Sequence, residues 1–271
     1  MTDSEICTLD RSGEPRLAFR KREGRGPAIL FLPGYASDME GTKAVALDAF
    51  AAERGIGMLR FDYSGTGASE GRFEDGTLAR WTDEATAVLD RLSNGPVILV
   101  GSSMGGWIAL HLALRRPDRV ASLVGIAAAP DFTQWGYTDA EKAVLRRDGR
   151  LEQPNPYGPE PQLTTLGFWE SGQAMRLLES PIAISAPVRL IHGDSDEDVP
   201  LDIAFRLKDR LHSGDVQVTV IKGGGHRLSA PHEIDAILRA VAAVLEPNPR
   251  SLPSPPQLQP LRPPPRPART W

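Results

Sequence analysis

A serine flanked by glycines stands between two apolar segments, in LVGSSMGGW at residues 99–107. Gly101, Ser103 and Gly105 fit the pattern G-x-S-x-G, in which the central serine projects its hydroxyl from a sharp turn between a strand and a helix. Side chains at the glycine positions would collide with the neighbouring strand and helix. This register makes Ser103 the candidate nucleophile and leaves Ser102 to pack or hydrogen-bond within the turn.

Ser103 needs a base, because a serine hydroxyl is a weak nucleophile near neutral pH until another group accepts its proton. His226 lies in the glycine-rich segment IKGGGHRLS, after the last apolar run, and a loop there would let its imidazole reach the serine. His212 and His232 fall at the ends of helical patterns and are expected at the surface or in caps. His111 follows Ser103 by eight residues and is expected in the core. We therefore predict that His226 is the base.

The acid that orients this base is expected in the segment IHGDSDEDVP, residues 191–200, which follows another apolar run. The segment offers Asp194, Asp196, Glu197 and Asp198, and on these residues alone more than one of them could be the acid. A metal loop is the alternative interpretation, but no second cluster of ligands accompanies the segment, and loops that bind hard cations need more oxygen atoms around the ion. We predict no metal and no cofactor.

Nucleophilic attack on a carbonyl would create an oxyanion, which needs hydrogen-bond donors held in place beforehand. The backbone N–H of Met104 directly follows the nucleophile and begins a helix, where the dipole favours negative charge. The second donor is expected in the loop FLPGYASD, at the backbone N–H of Tyr35. The glycines of DYSGTGASEG match neither common phosphate-binding pattern, so this segment is interpreted as a tight loop beside the pocket.

The elements that must position these residues follow a regular alternation from about residue 28. Short apolar runs predict strands, amphipathic segments predict helices, and their repetition predicts an α/β fold with a mainly parallel central sheet and helices on both faces. The predicted strands are 28–32, 55–62, 97–101, 119–129, 187–193 and 215–223, and the main predicted helices are 77–92, 107–116 and 232–245.

A segment at about 130–185 interrupts this alternation with helical stretches and the proline-rich sequence EQPNPYGPEPQ. An insertion of this length between core strands is expected to form a cap over the sheet within a single domain, residues 1–246. Its aromatic residues either pack the cap onto the body or line an apolar groove. They are Trp135, Tyr137, Tyr157, Phe168 and Trp169.

The last 25 residues, 247–271, differ in composition from the rest of the chain. They contain ten prolines, four arginines and no acidic residue, which predicts a disordered or polyproline II tail. Within the tail, PPRPAR fits the pattern P-x-x-P-x-R of polyproline ligands and suggests weak partner binding. Because the whole chain carries −4 and the tail +4, residues 1–246 carry −8, which disfavours a nucleic-acid partner.

Residues 28–246 resemble the α/β-hydrolase family, in which the H-G-x-x-D-x-x-V-P pattern places the acid at Asp196. Within that family the chain is similar to the mitochondrial palmitoyl-protein thioesterases. The similarity is carried by FLPGYASDMEGTKA, RFDYSGTGASEG, ILVGSSMGGWIALHLA, RPDRVASLVGIA, IHGDSDEDVP and GGGHR. The resemblance implies a Ser103–Asp196–His226 triad, a serine hydrolase that cleaves carboxylic esters or thioesters through an acyl-enzyme, and activity on S-palmitoyl groups and acyl glucuronides. The substrate would be a small molecule or an acyl-protein.

Two other functions are weighed against this one. A short-chain carboxylesterase would use the same catalytic residues, and sequence separates it poorly from a thioesterase. A non-catalytic, hydrolase-like protein that recruits partners through its tail would be expected to lack one triad residue, yet Ser103, Asp196 and His226 are all present.

The N-terminus, MTDSEICTLD, has neither a basic start nor an apolar segment, and it shows no evident transit peptide. No stretch approaches the roughly 18 apolar residues expected of a membrane span. The single cysteine, Cys7, fits a reducing compartment. These features predict a cytoplasmic protein without a membrane span.

Overall fold

The computed structural model describes residues 5–156 and 158–245, in which ten strands and eight α-helices are found. The strands are β1 Cys7–Arg11, β2 Glu14–Arg22, β3 Arg25–Leu32, β4 Ile56–Phe61, β5 Val97–Ser102, β6 Val120–Ile126, β7 Arg150–Gln153, β8 Gln162–Thr165, β9 Val188–Gly193 and β10 Val216–Ile221. The helices are α1 Thr42–Arg54, α2 Leu78–Leu92, α3 Met104–Arg115, α4 Phe132–Trp135, α5 Asp139–Asp148, α6 Leu166–Ala174, α7 Leu201–Arg210 and α8 Pro231–Leu245.

Eight strands form one sheet in the order β1-β2-β4-β3-β5-β6-β9-β10. The pairs from β4 through β3, β5, β6 and β9 to β10 are parallel, whereas β1 and β2 add to one edge antiparallel. All six residues of the central strand β5 are buried, as expected of a parallel strand covered on both faces. The predicted fold class, a mainly parallel sheet with helices on both faces, is confirmed.

Two apolar cores hold the helices against the sheet, and the alternation of side chains along β5 divides its residues between them. Leu99 packs in the core formed with α2, α3 and α7, and Val100 packs in the core formed with α1 and α8. Burial on both faces fixes the register of β5. The end of β5, where Ser103 follows, is thereby fixed in position.

Three elements in the first 54 residues were absent from the sequence-based prediction: β1, β2 and α1. The hairpin of β1 and β2 turns at Gly13, which has φ 78° and stands next to a serine. A Ser-Gly turn between short runs is a hairpin signal that could have revealed both strands. Charged residues within EPRLAFRKR obscure that signal, and burial along β2 does not alternate, because Leu17, Ala18 and Phe19 are buried in succession.

The segment between β6 and β9 contains α4, α5, β7, β8 and α6, and β7 pairs with β8 as an antiparallel hairpin. The prediction for this region was helical only, so the hairpin is a correction. Its strands are four residues long and separated by the proline-rich stretch, which leaves little period-2 signal to read. Asp131 anchors the segment, because its carboxylate accepts hydrogen bonds from the N–H groups of Leu177 and Leu178, both at 2.8 Å.

The domain limits of 1–246 and the cap limits of about 130–185 stay predictions. Tyr157 and the proline-rich tail 247–271, with its PPRPAR pattern, lie outside the described residues.

Candidate active site

The turn between β5 and α3 presents Ser103 with a backbone conformation of φ 53° and ψ −118°, which L-residues rarely adopt. The flanking glycines allow the close packing around it. A Cβ at Gly105 would lie 2.0 Å from the carbonyl oxygen of Leu32, and one at Gly101 would lie 2.3 Å from the carbonyl oxygen of Gly105. The Ser103 N–H donates to Ile126 O at 2.9 Å, so the neighbouring strand β6 holds the turn. The Ser103 side chain is thereby directed into a pocket at the carboxyl end of the sheet.

The structure brings together the three side chains predicted to act with one another. His226 Nε2 lies 3.1 Å from Ser103 Oγ, and His226 Nδ1 lies 2.9 Å from Asp196 Oδ2. The Asp196 side chain is fully buried and 16% of the His226 side chain is exposed, so the imidazole lies between the interior and the pocket. The serine is 123 residues from the histidine in sequence, and the acid is 30 residues from it.

Asp196 is held by hydrogen bonds on both carboxylate oxygens. Its Oδ1 accepts from the N–H groups of Asp198 and Val199, both at 2.9 Å. Burial acts to raise the pKa of Asp196, but the hydrogen bond and charge of His226 and the two backbone donors outweigh it, so the pKa is lowered from its usual value. The ionised form is therefore favoured.

The other acidic candidates occupy different positions. Asp194 Oδ1 accepts a hydrogen bond from the Gly223 N–H at 2.6 Å, which ties the acidic segment to the loop that carries His226. Asp198 directs its backbone N–H to Asp196, and its side chain lines the pocket.

The remaining histidines lie away from Ser103 Oγ or serve other contacts. His212 and His232 are exposed. His111 Nε2 lies 2.9 Å from Met175 O, and burial, with a smaller effect of Arg115, lowers its pKa to about 4. His192 is buried within β9 beside Asp196, a position that sequence analysis did not single out.

The two predicted oxyanion donors flank the serine. Within residues 5–156 and 158–245, neither the Met104 N–H nor the Tyr35 N–H has a hydrogen-bond partner. A Cβ at Gly34, the residue before Tyr35, would lie 3.5 Å from Ser103 Cβ, so this loop passes beside Ser103. Met104 begins α3, whose dipole favours negative charge at this end. Both amides are available to a developing oxyanion.

Asp62, at the carboxyl end of β4, supports the loop that contains Tyr35. Its Oδ1 accepts from the Met39 N–H at 2.7 Å and its Oδ2 accepts from the Ala68 N–H at 2.8 Å. A Cβ at Gly67 would lie 2.1 Å from Asp62 Oδ2, which explains one glycine of DYSGTGASEG. Burial raises the pKa of Asp62 despite these two donors. The glycine-rich segment thus positions the neighbouring loop, a role consistent with the predicted tight loop.

Ser103 and His226 face a cavity of about 810 Å³, within the usual size range of small-molecule sites. Four aromatic residues of its lining make up an aromatic wall: Phe73, Phe132, Trp135 and Tyr137. Polar residues also line the cavity. Among them Lys43 Nζ donates to Arg227 O at 2.5 Å, and burial, followed by the charge of Arg227, lowers the pKa of Lys43 to about 8.

Two alternatives were predicted for the aromatic residues of the inserted segment: packing the cap onto the body, or lining a groove. The structure contains residues of both kinds. Trp135 and Tyr137 line the cavity. Phe168 is buried in the core beneath α6, and Trp169 packs with Tyr137 and Leu145 in a small core of the inserted segment.

The Tyr35 side chain has a role that the sequence did not indicate. Its hydroxyl donates to Leu163 O of strand β8 at 2.6 Å, and its ring contacts Phe168 at a centroid distance of 4.7 Å. Burial raises the pKa of Tyr35, which keeps the hydroxyl protonated as a donor. One residue thus connects the inserted segment to the loop beside Ser103.

Asp196, Asp198 and His226 lie close enough together to be considered as ligands for a cation. The two oxygens of Asp196 and both nitrogens of His226 already take part in hydrogen bonds within the protein. We therefore assign no metal to this cluster.

Proteins that hold a serine at positive φ between a central parallel strand and the helix after it are α/β-hydrolases, and the fold and turn described here define that class. Residues 27–153 match the family described as alpha/beta hydrolase fold. The human protein named "Palmitoyl-protein thioesterase ABHD10, mitochondrial" is 37% identical over 247 residues, which cover 90% of this chain and 81% of that protein. The chain belongs to the α/β-hydrolase family, and it is a hydrolase.

Solved structures agree with this assignment. Alpha/beta hydrolase domain-containing protein 10 from mouse has a TM-score of 0.84 and 36% identity, with 89% of this chain and 98% of that chain covered. A structure described as a hydrolase from Agrobacterium vitis S4 also has a TM-score of 0.84, with 41% identity, covering 90% of this chain and 99% of that one. The resemblance to palmitoyl-protein thioesterases is thereby confirmed.

The predicted cytoplasmic location is wrong on this comparison. The human and mouse relatives are named as mitochondrial proteins, which points to mitochondria rather than to the cytoplasm. The prediction relied on the absence of a recognisable leader, and relatives carry location information that composition near one terminus does not.

Among the helices described here, none combines the length and apolar character required to cross a membrane.

Proposed function

We propose that this hydrolase cleaves carboxylic esters or thioesters with Ser103 as nucleophile, His226 as general base and Asp196 as the acid that orients it. The hydrogen-bonded series from Ser103 Oγ through the imidazole to the buried carboxylate supports this proposal most strongly. The strained turn at Ser103 adds support, because it directs the hydroxyl into the cavity.

The tautomer of His226 follows from its partners. An ionised carboxylate only accepts hydrogen bonds, so Nδ1 carries the proton toward Asp196 and Nε2 offers its lone pair to the Ser103 hydroxyl. As Ser103 Oγ attacks the acyl carbon, Nε2 accepts the hydroxyl proton and Asp196 stabilises the resulting imidazolium. The N–H groups of Met104 and Tyr35 then stabilise the oxyanion.

The second half of the reaction uses the same groups in reverse. His226 returns its proton to the departing alcohol or thiol as the tetrahedral intermediate collapses to an acyl-Ser103. Water, deprotonated by His226, then attacks the acyl carbon to form a second tetrahedral intermediate. As this intermediate collapses, the bond from the acyl carbon to Ser103 Oγ breaks, His226 returns the proton to that oxygen, and the carboxylic acid leaves. These steps balance in protons without a cofactor.

For the acyl group we propose a long chain, with an S-palmitoyl thioester as the reference substrate. The aromatic wall, which includes Phe132 and Trp135, favours apolar acyl groups. The human relative's name, palmitoyl-protein thioesterase, adds support for this substrate class. The leaving group would be a small molecule or a protein, and the −8 charge of residues 1–246 disfavours a nucleic acid.

The nucleophile is tested by comparing Ser103→Ala with Ser102→Ala in the hydrolysis of p-nitrophenyl esters. Loss of the nucleophile is expected to lower kcat by about 10⁴-fold or more, whereas the neighbouring serine on β5 is expected to be dispensable. Circular dichroism and Tm would establish that both variants fold. Turnover by Ser103→Ala at the wild-type rate would exclude this mechanism.

The acyl group is tested with thioesters of one thiol that differ only in chain length, from acetyl to palmitoyl. A kcat/KM that rises with chain length supports the long-chain assignment, because each added methylene buries apolar surface against the aromatic wall. A steep preference for acetyl would instead support the short-chain carboxylesterase alternative.

A further inference from the structure

A second imidazole, in addition to that of His226, lies close to the proposed acid. His192 lies in strand β9 with only 1% of its side chain exposed. Its Nε2 lies 2.8 Å from Val199 O and 3.4 Å from Asp196 Oδ2, the same oxygen that His226 Nδ1 approaches at 2.9 Å. Two histidines therefore approach the same carboxylate oxygen.

The contact with Val199 defines the tautomer of His192. A carbonyl oxygen only accepts hydrogen bonds, so Nε2 must carry a proton. That N–H donates to the Val199 carbonyl, and the same nitrogen lies 3.4 Å from Asp196 Oδ2, a longer, electrostatic contact with the carboxylate.

These contacts close a small ring around the acidic segment. The Val199 N–H donates to Asp196 Oδ1, while the Val199 carbonyl accepts from His192 Nε2. His192 belongs to a buried strand paired on both sides, by β6 and β10, which makes it a rigid support. Through this ring the strand restricts rotation of the Asp196 carboxylate about χ2.

We propose that His192 is a positioning residue that keeps Asp196 Oδ2 directed at His226, and this inference rests on the proposed function. Rotation of the carboxylate would move Oδ2 away from His226 Nδ1 and allow the base to turn from Ser103. His192 touches none of the reacting atoms, so its effect must pass through Asp196.

The experiment compares His192→Gln with His192→Met, two side chains of similar length. Glutamine keeps an N–H donor near the position of Nε2, and methionine removes it. We expect kcat for p-nitrophenyl ester hydrolysis to be about tenfold lower in the methionine variant than in the glutamine variant, with KM unchanged. Equal kcat values in two folded variants would overturn the proposal.

Both substitutions are repeated in an Asp196→Ala background, using the residual hydrolysis of p-nitrophenyl acetate. If His192 acts through Asp196, the difference between glutamine and methionine disappears there, as expected for residues that function as a unit. A merely structural role would leave the difference undiminished, and that result would also overturn the proposal. The pair His111→Gln and His111→Met is the control, because His111 also contacts a buried carbonyl but no carboxylate.

A measurement on the unsubstituted protein covers the case in which His192→Met does not fold. In ¹⁵N-histidine-labelled protein the nitrogen chemical shifts of His192 report its tautomer. A proton on Nε2, with a shift that changes in Asp196→Asn, supports the proposal, whereas a proton only on Nδ1 overturns it. Failure of the proposed function is distinguishable, because Ser103→Ala would then retain full hydrolysis whatever residue occupies position 192.

Discussion

Ser103 is held at φ 53° and ψ −118°, a conformation that costs most residues on the order of 1–2 kcal/mol and that glycine adopts readily. Alanine and glycine both lack the hydroxyl, so comparing them isolates backbone strain. We predict that Ser103→Gly is more stable to unfolding than Ser103→Ala by about 1 kcal/mol, measured by urea denaturation. The matched pair Ser102→Gly and Ser102→Ala lies in β5, where glycine should be the less stable residue. If glycine were the less stable residue at position 103 as well as at position 102, the proposed backbone strain at Ser103 would be contradicted.

His111 provides a prediction about pH. Its folded pKa of about 4 lies below the value of 6.5 for an unperturbed histidine, chiefly because burial disfavours the charged imidazole. Between these two values the unfolded chain binds more protons than the folded one, so stability is complete above pH 6.5 and decreases as the pH falls toward 4. The loss is at most about 3 kcal/mol.

Unfolding free energies of wild type and His111→Gln, measured from pH 7 to pH 4, check this expectation. Glutamine keeps a donor for Met175 O but does not titrate. Its stability is therefore expected to decrease less over this range than that of the wild type. Parallel curves for the two proteins would mean that His111 does not titrate in this way.

At the level of single residues, sequence identified groups whose role depends on their immediate neighbours in the chain. The pattern around Ser103 is local, and His226 is marked by a glycine-rich loop after an apolar run. Asp196 could be selected only with the family pattern, because three aspartates lie within five positions. The contacts of His192 and of the Tyr35 hydroxyl end on backbone carbonyls, which leave no trace in residue types.

Between elements, the Tyr35 hydroxyl joins strand β8 to the loop that follows β3. Removing it by Tyr35→Phe leaves the Leu163 carbonyl without this donor and loosens the segment over the aromatic wall. We predict faster amide hydrogen exchange in β8 and a kcat/KM for a palmitoyl thioester that is about fivefold lower, as expected for one hydrogen bond of about 1 kcal/mol. Hydrolysis of p-nitrophenyl acetate should change less, since a short acyl group requires little of that wall.

The outcome for Tyr35→Phe separates two roles of this residue. An equal loss for acetyl and palmitoyl substrates would indicate that the substitution disturbs the backbone N–H beside Ser103. Unchanged amide hydrogen exchange in β8 would contradict the conclusion that the Tyr35 hydroxyl holds β8 to the loop beside Ser103.

The elements themselves differed in how well sequence revealed them. Strands such as β5 are buried on both faces, so they appear as uninterrupted apolar runs and were predicted within a residue. Helix α1 has one exposed face, and strand β2 has charged residues on either side of three consecutive buried ones, so neither shows a clear apolar period in the sequence. The start of α3 was predicted three residues late because its first turn contains Gly105 and Gly106, which are required by packing rather than by helix propensity.

In the part of the chain that the structure describes, both cores and the strands of the main sheet lie between residues 7 and 245. The composition of residues 247–271 predicts no apolar core there. We therefore predict that a protein ending at residue 246 has a Tm within about 2 °C and a kcat/KM within about twofold of the full chain. Thermal denaturation and ester hydrolysis of the two proteins provide the measurement.

The same pair of proteins tests the predicted partner binding of the tail. Pull-downs with and without residues 247–271, alongside a full-length variant with Arg266 and Arg269 changed to alanine, would show whether PPRPAR recruits a partner. Identical sets of captured proteins in all three would remove that prediction. A large fall in Tm on truncation would show that the tail stabilises the body.

At this scale the architecture followed from the alternation of strands and helices, which depends on many weak signals that agree. The cellular location could not be predicted in this way, because only a few residues near one end bear on it. The predicted location was contradicted by the names of the relatives. The hairpin of β7 and β8 was missed for a related reason, since two four-residue strands give too few positions to establish a period.

The central claim is that Ser103 carries the acyl group during turnover, and the most direct test is to locate that group by mass spectrometry. The protein is mixed with a palmitoyl thioester and quenched in acid within its first turnovers, and its peptides are then sequenced. We predict a mass increase of one palmitoyl group on the peptide containing Ser103, absent from Ser103→Ala and present in Ser102→Ala. An acyl group found only on another residue, or full turnover by Ser103→Ala, would contradict the account.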